Sequence, residues 1–260
     1  LQHIHRGDIY EVNFCQEFYA QETDIDPVGI YHRLNTISRP PFASFLKIGS
    51  MHLISASPER FLKKQGDLVI SQPIKGTARR SSDIAEDEQL KKELGLDPKE
   101  RAENIMIVDL VRNDLSKHAL RGSVNVRELC EVYSFEQVHQ MISTVEAQVN
   151  ASIHPVDLLK DTFPMGSMTG APKISAMEII EEVELTKRGL YSGALGYIEP
   201  NKDFDFSVVI RSILYNEERR YLSFSVGSAI TEKAVPEKEY QECLLKAKAM
   251  RLVLENDRSK

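Results

Sequence analysis

Lys75 lies in Gln72-Pro73-Ile74-Lys75-Gly76-Thr77-Ala78-Arg79-Arg80, between an apolar run and a Gly-Thr pair. A neutral amine in that setting can attack an electron-poor carbon, and desolvation or neighbouring cations keep it neutral. Standing alone it reads as a surface lysine closing a hairpin, the usual place for a charged side chain; its company changes that reading. Glu59, in Ser57-Pro58-Glu59-Arg60-Phe61, is a carboxyl that burial would keep protonated and able to act as a general acid. Two further segments carry glutamates at i,i+3, Glu100 with Glu103 and Glu239 with Glu242. On helices the members of each pair share a face. Two such faces make an oxygen-rich site suited to Mg2+, which takes one or two carboxylates and keeps several waters; singly, each pair is also an ordinary solvated face. Lys246, one turn after Glu242, has the same double reading, because Glu to Lys at i,i+4 is a common helix-surface pair.

Arg211 sits inside the apolar-rich run Phe206-Ser207-Val208-Val209-Ile210-Arg211-Ser212-Ile213-Leu214. Its planar fork can grip a carboxylate through two hydrogen bonds, or it points outward from a half-exposed strand. Gly227-Ser228-Ala229 follows a strand pattern, where backbone amides could approach an anion; it reads equally as a bulge or turn. The segment Gly166-Ser167-Met168-Thr169-Gly170-Ala171-Pro172-Lys173 lacks the Gly-x-x-x-x-Gly-Lys-Ser/Thr spacing, which excludes a phosphate-loop NTPase. His139, on an alternating segment, reads as a packed or hydrogen-bonded histidine rather than a ligand.

Strands are expected over 9–18, 42–48 and 52–57, with a loop over 34–41. Residues 60–64 and 68–72 flank Gln65-Gly66-Asp67, a hairpin signal. A turn centred on Gly66 sets Glu59 opposite position 73, so that Lys75, two residues on, shares its face as a diagonal neighbour. A one-residue slip separates them. Helices are expected over 81–98 and 100–111, the first a solvated face carrying Asp83, Glu86, Asp87, Glu88, Lys91 and Lys92. Strands over 124–132 and 138–149 and a short helix over 156–162 follow. A helix entered at Pro172 runs through 184. Strands over 193–199, 205–215 and 221–230 precede a long amphipathic helix over 237–256. Sheet-rich segments with helices between them indicate an α+β chain, one large domain over 1–260 or two compact halves.

Composition narrows the class. Hydrophobic residues make up 42% and charged residues 28% of the 260 positions, ordinary for a soluble globular protein. No apolar run reaches about 18 residues, so no membrane span is expected. The start, Leu1-Gln2-His3-Ile4-His5-Arg6, has no signal-peptide pattern and no Met, which points to a fragment. A formal charge of −6 argues against a nucleic-acid binder, though local cations or a metal can still gather an anionic substrate. Cys15, Cys130 and Cys243 are too few and too scattered for a disulfide framework or zinc site, and indicate a reducing cytoplasm.

Seven stretches, taken together, resemble the chorismate-utilising enzymes, a family that includes anthranilate, aminodeoxychorismate, isochorismate and salicylate synthases. They are Gly7-Asp8-Ile9-Tyr10-Glu11-Val12-Asn13, Ser57-Pro58-Glu59-Arg60-Phe61, Pro73-Ile74-Lys75-Gly76-Thr77 and Arg101-Ala102-Glu103-Asn104. Asp109-Leu110-Val111-Arg112-Asn113-Asp114, Thr169-Gly170-Ala171-Pro172-Lys173 and Glu239-Tyr240-Gln241-Glu242 complete the series, which covers nearly the whole chain. The resemblance implies two packed, mainly antiparallel sheets with helices on the outer faces, binding chorismate and Mg2+. It implies Glu103 and Glu242 as direct Mg2+ ligands, with Glu100 and Glu239 acting through water. Lys246 would lie near the ring carboxylate held by the ion. Tyr197, Arg211 and the Gly227-Ser228 turn would hold the enolpyruvyl carboxylate, and Gly76 and Thr77 would line the ring pocket.

Family members that aminate at C2, the anthranilate synthases, typically carry alanine where this chain has Lys75; those that aminate at C4 carry lysine. The resemblance therefore implies conversion of chorismate and ammonia to 4-amino-4-deoxychorismate, with Lys75 as nucleophile at C2 and Glu59 as acid. The chain has no glutaminase-like nucleophile motif, so ammonia is expected from a separate glutamine amidotransferase. Component I of anthranilate synthase is the nearest alternative, and a non-catalytic chorismate-binding or regulatory subunit is the alternative of another class. Three departures stand out. Gln140 takes a place where many relatives have His, Gly227-Ser228-Ala229 replaces the usual Gly-Ala-Gly, and the long N-terminal region of full-length relatives is absent.

Overall fold

The computed structural model describes residues 1–255. It begins α1 (Gln2–Arg6), β1 (Glu11–Ala20), α2 (Pro27–Ser38), β2 (Phe42–Ile48), β3 (Met51–Ser57), β4 (Arg60–Gln65), β5 (Leu68–Gln72) and β6 (Ile74–Arg79). Two helices follow, α3 (Ile84–Leu96) and α4 (Pro98–Ser116), then β7 (Asn125–Ser134), β8 (Val138–Gln148) and α5 (Pro155–Thr162). The remainder is β9 (Gly170–Ala171), α6 (Lys173–Val183), β10 (Ala194–Ile198), β11 (Phe204–Val208), β12 (Ser212–Asn216), β13 (Tyr221–Thr231) and α7 (Pro236–Glu255). Two mainly antiparallel sheets with helices make this the expected α+β chain. Position 256, expected as the end of the last helix, lies outside the described residues.

By contact the chain divides into two compact units. The first comprises Leu1–Pro58, Pro172–Leu195 and the residues from Ser207 onward. Its strands run β2-β3-β12-β13-β1, with Glu11 facing Thr231 at one end of the longest pairing and Ala20 facing Leu222 at the other. Helix α7 lies on β13, and α2 packs on both α7 and β3. Cys243, Ala247, Met250 and Val253 form the buried stripe of α7 and meet Ile30, Leu34, Ile54, Tyr215 and Phe224. Glu239 is one turn earlier on that stripe and is buried with it.

Helix α2 replaces part of the loop expected over 34–41. Asp26 caps it, accepting from the Val28 amide at 3.1 Å, and Pro27 occupies the first turn. Ile30 and Leu34, at i,i+4, are its only buried residues, and Tyr31 and Ile37 pack beside them against the same core.

The second unit comprises Glu59–Ala171 and Gly196–Phe206. Its sheet is built around β8, which β7 follows along one side. The other side is taken by β5 and β6 in one register: Ser71 faces Val145 and Ile74 faces Ile142. Between them the Ser143 amide donates to the Pro73 carbonyl at 3.3 Å. The segment from β5 through Pro73 into β6 is therefore one long extended run. Proline is tolerated there because its carbonyl, not an N–H, serves the ladder. Helix α4 packs on β6, β7 and β8 through Asn104, Ile107, Val108 and Val111, spaced i, i+3, i+4, i+7.

The single strand expected over 205–215 is two strands. Val209 leaves the ladder, donating to the Gly193 carbonyl at 2.8 Å and accepting from the Ser192 amide at 2.9 Å. Arg211 then takes a left-handed φ of 51°. It lies in the break and not inside a strand. No described helix is long and apolar enough to cross a membrane.

Candidate functional site

In the second unit the hairpin decides where Glu59 falls. Gln65 faces Leu68 across a two-residue turn, Gly66-Asp67, with Gly66 at φ 63°. Carried straight along the strands, that pairing would set Glu59 opposite Ile74. A bulge between Arg60 and Lys63 absorbs one residue of β4, so that Arg60 faces Gln72. Continued by one position, the register turns Glu59 toward Pro73, with Lys75 two residues further along the same run. That continuation matches the facing of 59 and 73 expected from a turn centred on Gly66, but the ladder itself ends at Arg60 and Gln72 and contains a bulge that the expectation lacked. Glu59 is buried and helps line a recess with Phe61, Pro73, Val111, Met165 and Gly166; Lys75 is half-buried.

Gly76 is the point where β6 meets α4. Its φ is 93°, and a Cβ there would stand 3.1 Å from Glu100 Oε2 and 3.3 Å from Glu100 Cβ. The helix begins at Asp97, whose carboxylate accepts from the Lys99 and Glu100 amides at 2.8 and 3.0 Å. One turn in, Glu103 is buried with Lys99 Nζ 3.7 Å away. Asn104, fully buried, directs Nδ2 at the Lys75 carbonyl (3.5 Å) and the Met141 carbonyl (3.4 Å). Its Oδ1 accepts from Ser143 Oγ, which in turn accepts from the Cys130 amide at 2.9 Å. Asn104 fastens α4 to the sheet at the backbone of Lys75, a part the sequence reading did not give it. The available signal was a lone amide on the buried face of the helix.

Thr77 is exposed on β6 opposite Gln140, and Tyr197 on β10 is 60% exposed. His139 is fully buried, 2.9 Å from Ser134 Oγ and 3.0 Å from Asp87 Oδ1, a packed and hydrogen-bonded histidine. Asp87 corrects the expectation that α3 offers only a solvated face. It is buried and held by the Arg80 guanidinium and the Ser81 amide, with His139 adding a smaller effect. Together they keep its carboxyl well below the usual carboxylate range.

The first unit holds the other candidates. Gly227-Ser228-Ala229 is neither bulge nor turn: it runs within β13, with Gly227 facing Cys15 and Ser228 facing Phe14. The glycine permits a close approach, since a Cβ would fall 2.5 Å from Cys15 Sγ and 2.8 Å from the Phe14 carbonyl oxygen. The Gly227 carbonyl accepts from Lys246 Nζ at 2.9 Å, and the same ammonium pairs with Glu242 Oε1 at 2.5 Å. Ser228 Oγ donates to Glu239 Oε2 in a buried contact. Arg211 is half-buried, and desolvation pulls its guanidinium below the usual value against the opposing influence of Tyr191 and Glu242.

The profile of chorismate binding enzymes matches residues 1–252. The chain belongs to the chorismate-binding enzyme family. It is 41% identical over 253 residues to aminodeoxychorismate synthase component 1 of Salmonella typhimurium, covering 97% of this chain and 55% of that protein. Anthranilate synthase component 1 of Acetivibrio thermocellus is 38% identical over 254 residues, covering 98% of this chain and 51% of that one. The crystal structure of anthranilate synthase component I from Streptococcus pneumoniae superposes with a TM-score of 0.86 at 33% identity. That match covers 96% of this chain and 55% of that one. The chain thus spans about half the length of these relatives.

For this member of the chorismate-binding enzymes, Mg2+ can be weighed against the donors present. Among the described residues no three His, Cys, Asp or Glu side chains gather as a metal cluster. Each unit instead offers one pair of helix glutamates, the hard oxygen donors that Mg2+ takes. Glu239 and Glu242 are already oriented by Ser228 and Lys246. The donor chemistry fits the ion.

Proposed function

We propose that the chain is the chorismate-binding catalytic part of a synthase subunit that converts chorismate and ammonia to 4-amino-4-deoxychorismate, the precursor of 4-aminobenzoate and folate. The observation that carries the reading is buried Glu59 in a recess that Pro73 also lines, two residues before Lys75. In the proposed route the neutral Lys75 amine bonds to ring C2, both double bonds of the ring diene shift, and the C4 hydroxyl departs as water with the proton of Glu59. Ammonia then bonds to C4, both double bonds shift back, the C2–N bond breaks to release neutral Lys75, and the extra proton on the new C4 ammonium returns to the Glu59 carboxylate. General-acid assistance of this kind is worth about 10²–10⁴-fold. Gly76 and Thr77 are assigned to the ring, Tyr197, Arg211 and the backbone of Gly227-Ser228 to the enolpyruvyl carboxylate, and Lys246 to the vicinity of the ring carboxylate. Mg2+ is the proposed cofactor, with Glu103 and Glu242 as direct ligands and Glu100 and Glu239 acting through water; bound, it supplies positive charge for that carboxylate.

Ammonia is assigned to a separate glutamine amidotransferase, a partner in keeping with relatives that are named component 1. Three buried free cysteines support a reducing, cytoplasmic setting. The test supplies chorismate, ammonium and Mg2+, and identifies the product with and without the lyase that forms 4-aminobenzoate. Lyase-dependent 4-aminobenzoate is expected. Anthranilate would favour C2 amination, and chorismate binding without turnover would favour a non-catalytic subunit. Lys75→Ala should abolish amination at C4, and full retention would overturn the covalent route.

A further inference from the structure

We propose that Ser228 is a positioning residue that sets the metal affinity of the α7 glutamates by holding Glu239, an inference that rests on the Mg2+ assignment above. Ser228 is 2% exposed and Glu239 is 7% exposed, and the hydroxyl donates to Glu239 Oε2. A serine has a single O–H donor. That donor is committed to Glu239. A buried carboxylate needs such a donor, because an unpartnered one costs heavily in desolvation.

The neighbouring contact points the same way. Gly227 binds Lys246 through its carbonyl, and Lys246 pairs with Glu242. Consecutive residues of β13 therefore orient both glutamates of α7, Gly227 through the backbone and Ser228 through a side chain. Only the second link disappears on removal of one atom.

Outer partners of metal-binding carboxylates are worth about 10–100-fold in affinity. With Glu239 assigned to act through water, Ser228→Ala should weaken binding at the low end, about tenfold. The measurement is Mn2+ titration of the full chain by electron paramagnetic resonance, with Mg2+ as competitor. The proteins are the parent, Ser228→Ala, Glu239→Gln, the Ser228→Ala/Glu239→Gln double variant and Glu242→Gln. If Ser228 works through Glu239, the serine change adds nothing once Glu239 is altered. Unchanged Mn2+ affinity in Ser228→Ala while Glu242→Gln loses binding would overturn the positioning role alone. A second, equal loss from Ser228→Ala in the Glu239→Gln background would do the same, since the serine would then act by another route. Unaltered binding in Glu242→Gln would remove the metal assignment itself, and the inference with it.

Discussion

Helix α7 and helix α4 each carry a buried glutamate with a second one three residues away, but their surroundings hold them differently. On α7 the orientation is polar: Ser228 donates to Glu239, and Lys246 ties Glu242 to the Gly227 carbonyl. On α4 a close approach is added to polar links: Gly76 brings β6 to within van der Waals reach of Glu100, Lys99 Nζ stands 3.7 Å from Glu103, and Asn104 seats the next turn on the sheet. Polar links are lost by deleting an atom, and a close approach is lost by adding one. The α7 pair should therefore respond in graded steps to truncation. The α4 pair, next to the segment that carries Lys75, should fail abruptly when volume is added.

The largest effect expected on the α4 side is that of Lys75→Ala, a loss of at least about 10³-fold in C4 amination, the scale of removing a nucleophile. Next is Gly76→Ala. An alanine at φ 93° is strained by about 1–3 kcal/mol, and its Cβ meets the Glu100 side chain at 3.1–3.3 Å. A displacement of about 1 Å at a catalytic group can cost about 10²-fold, which is the expected drop in kcat. Urea unfolding and steady-state kinetics on the same variant separate the two losses. A Gly76→Ala protein with parental kcat would mean that close packing does not set the α4 side.

How much of this was legible beforehand depends on the range of the interactions. The β4–β5 hairpin was readable because a two-residue glycine turn and alternating flanks are local signals. The facing of Glu59 and 73 rests on continuing the register past its last pairing, Arg60 with Gln72, and the bulge beside that pairing leaves no mark in residue type. Helix α2 was missed although Ile30, Tyr31, Leu34 and Ile37 form a helical stripe, because Asn35, Thr36 and Ser38 ahead of Pro40-Pro41 read as a loop. The strand expected through Arg211 was apolar enough to be continuous, yet Val209 is drawn out of the ladder by Ser192 and Gly193, far away in sequence. The role of Ser228 was hidden for the same reason: its partner lies across a strand-to-helix connection, and the triplet in sequence resembled a turn.

Asn104→Ala tests the other hold on α4. It removes the donor directed at the Lys75 and Met141 carbonyls and the acceptor used by Ser143. Leaving such buried groups unsatisfied should cost about 1–3 kcal/mol. The shift in urea midpoint at constant m-value reads it. A change below about 0.5 kcal/mol would show that the packing of Ile107, Val108 and Val111 seats the helix unaided.

The effect on the polar side is absent near neutral pH, and only alkaline pH brings it out. Cys15, on the strand facing Gly227, is buried with Sγ 3.6 Å from Tyr191 Oη and 3.5 Å from Asn13 Oδ1. Burial pushes its thiol up from 9.0 to about 11; Arg188 opposes the shift and Glu184 adds to it. An acid whose pKa is raised on folding keeps its proton in the native state while the unfolded chain has already lost it. Between pH 9 and 11 the unfolded state therefore binds fewer protons, and stability falls as pH rises. The loss at pH 10.5 should be about 2 kcal/mol, with almost none at pH 8. Cys15→Ala removes this titration but also removes packing, so the quantity to measure is the change, from pH 8 to 10.5, in the stability difference between parent and variant. Packing cancels in that comparison, because it is present at both values. A stability difference that stays the same at the two pH values would mean that water or a cation reaches the thiol, and the Gly227–Cys15 approach would then not be as dry as its burial indicates.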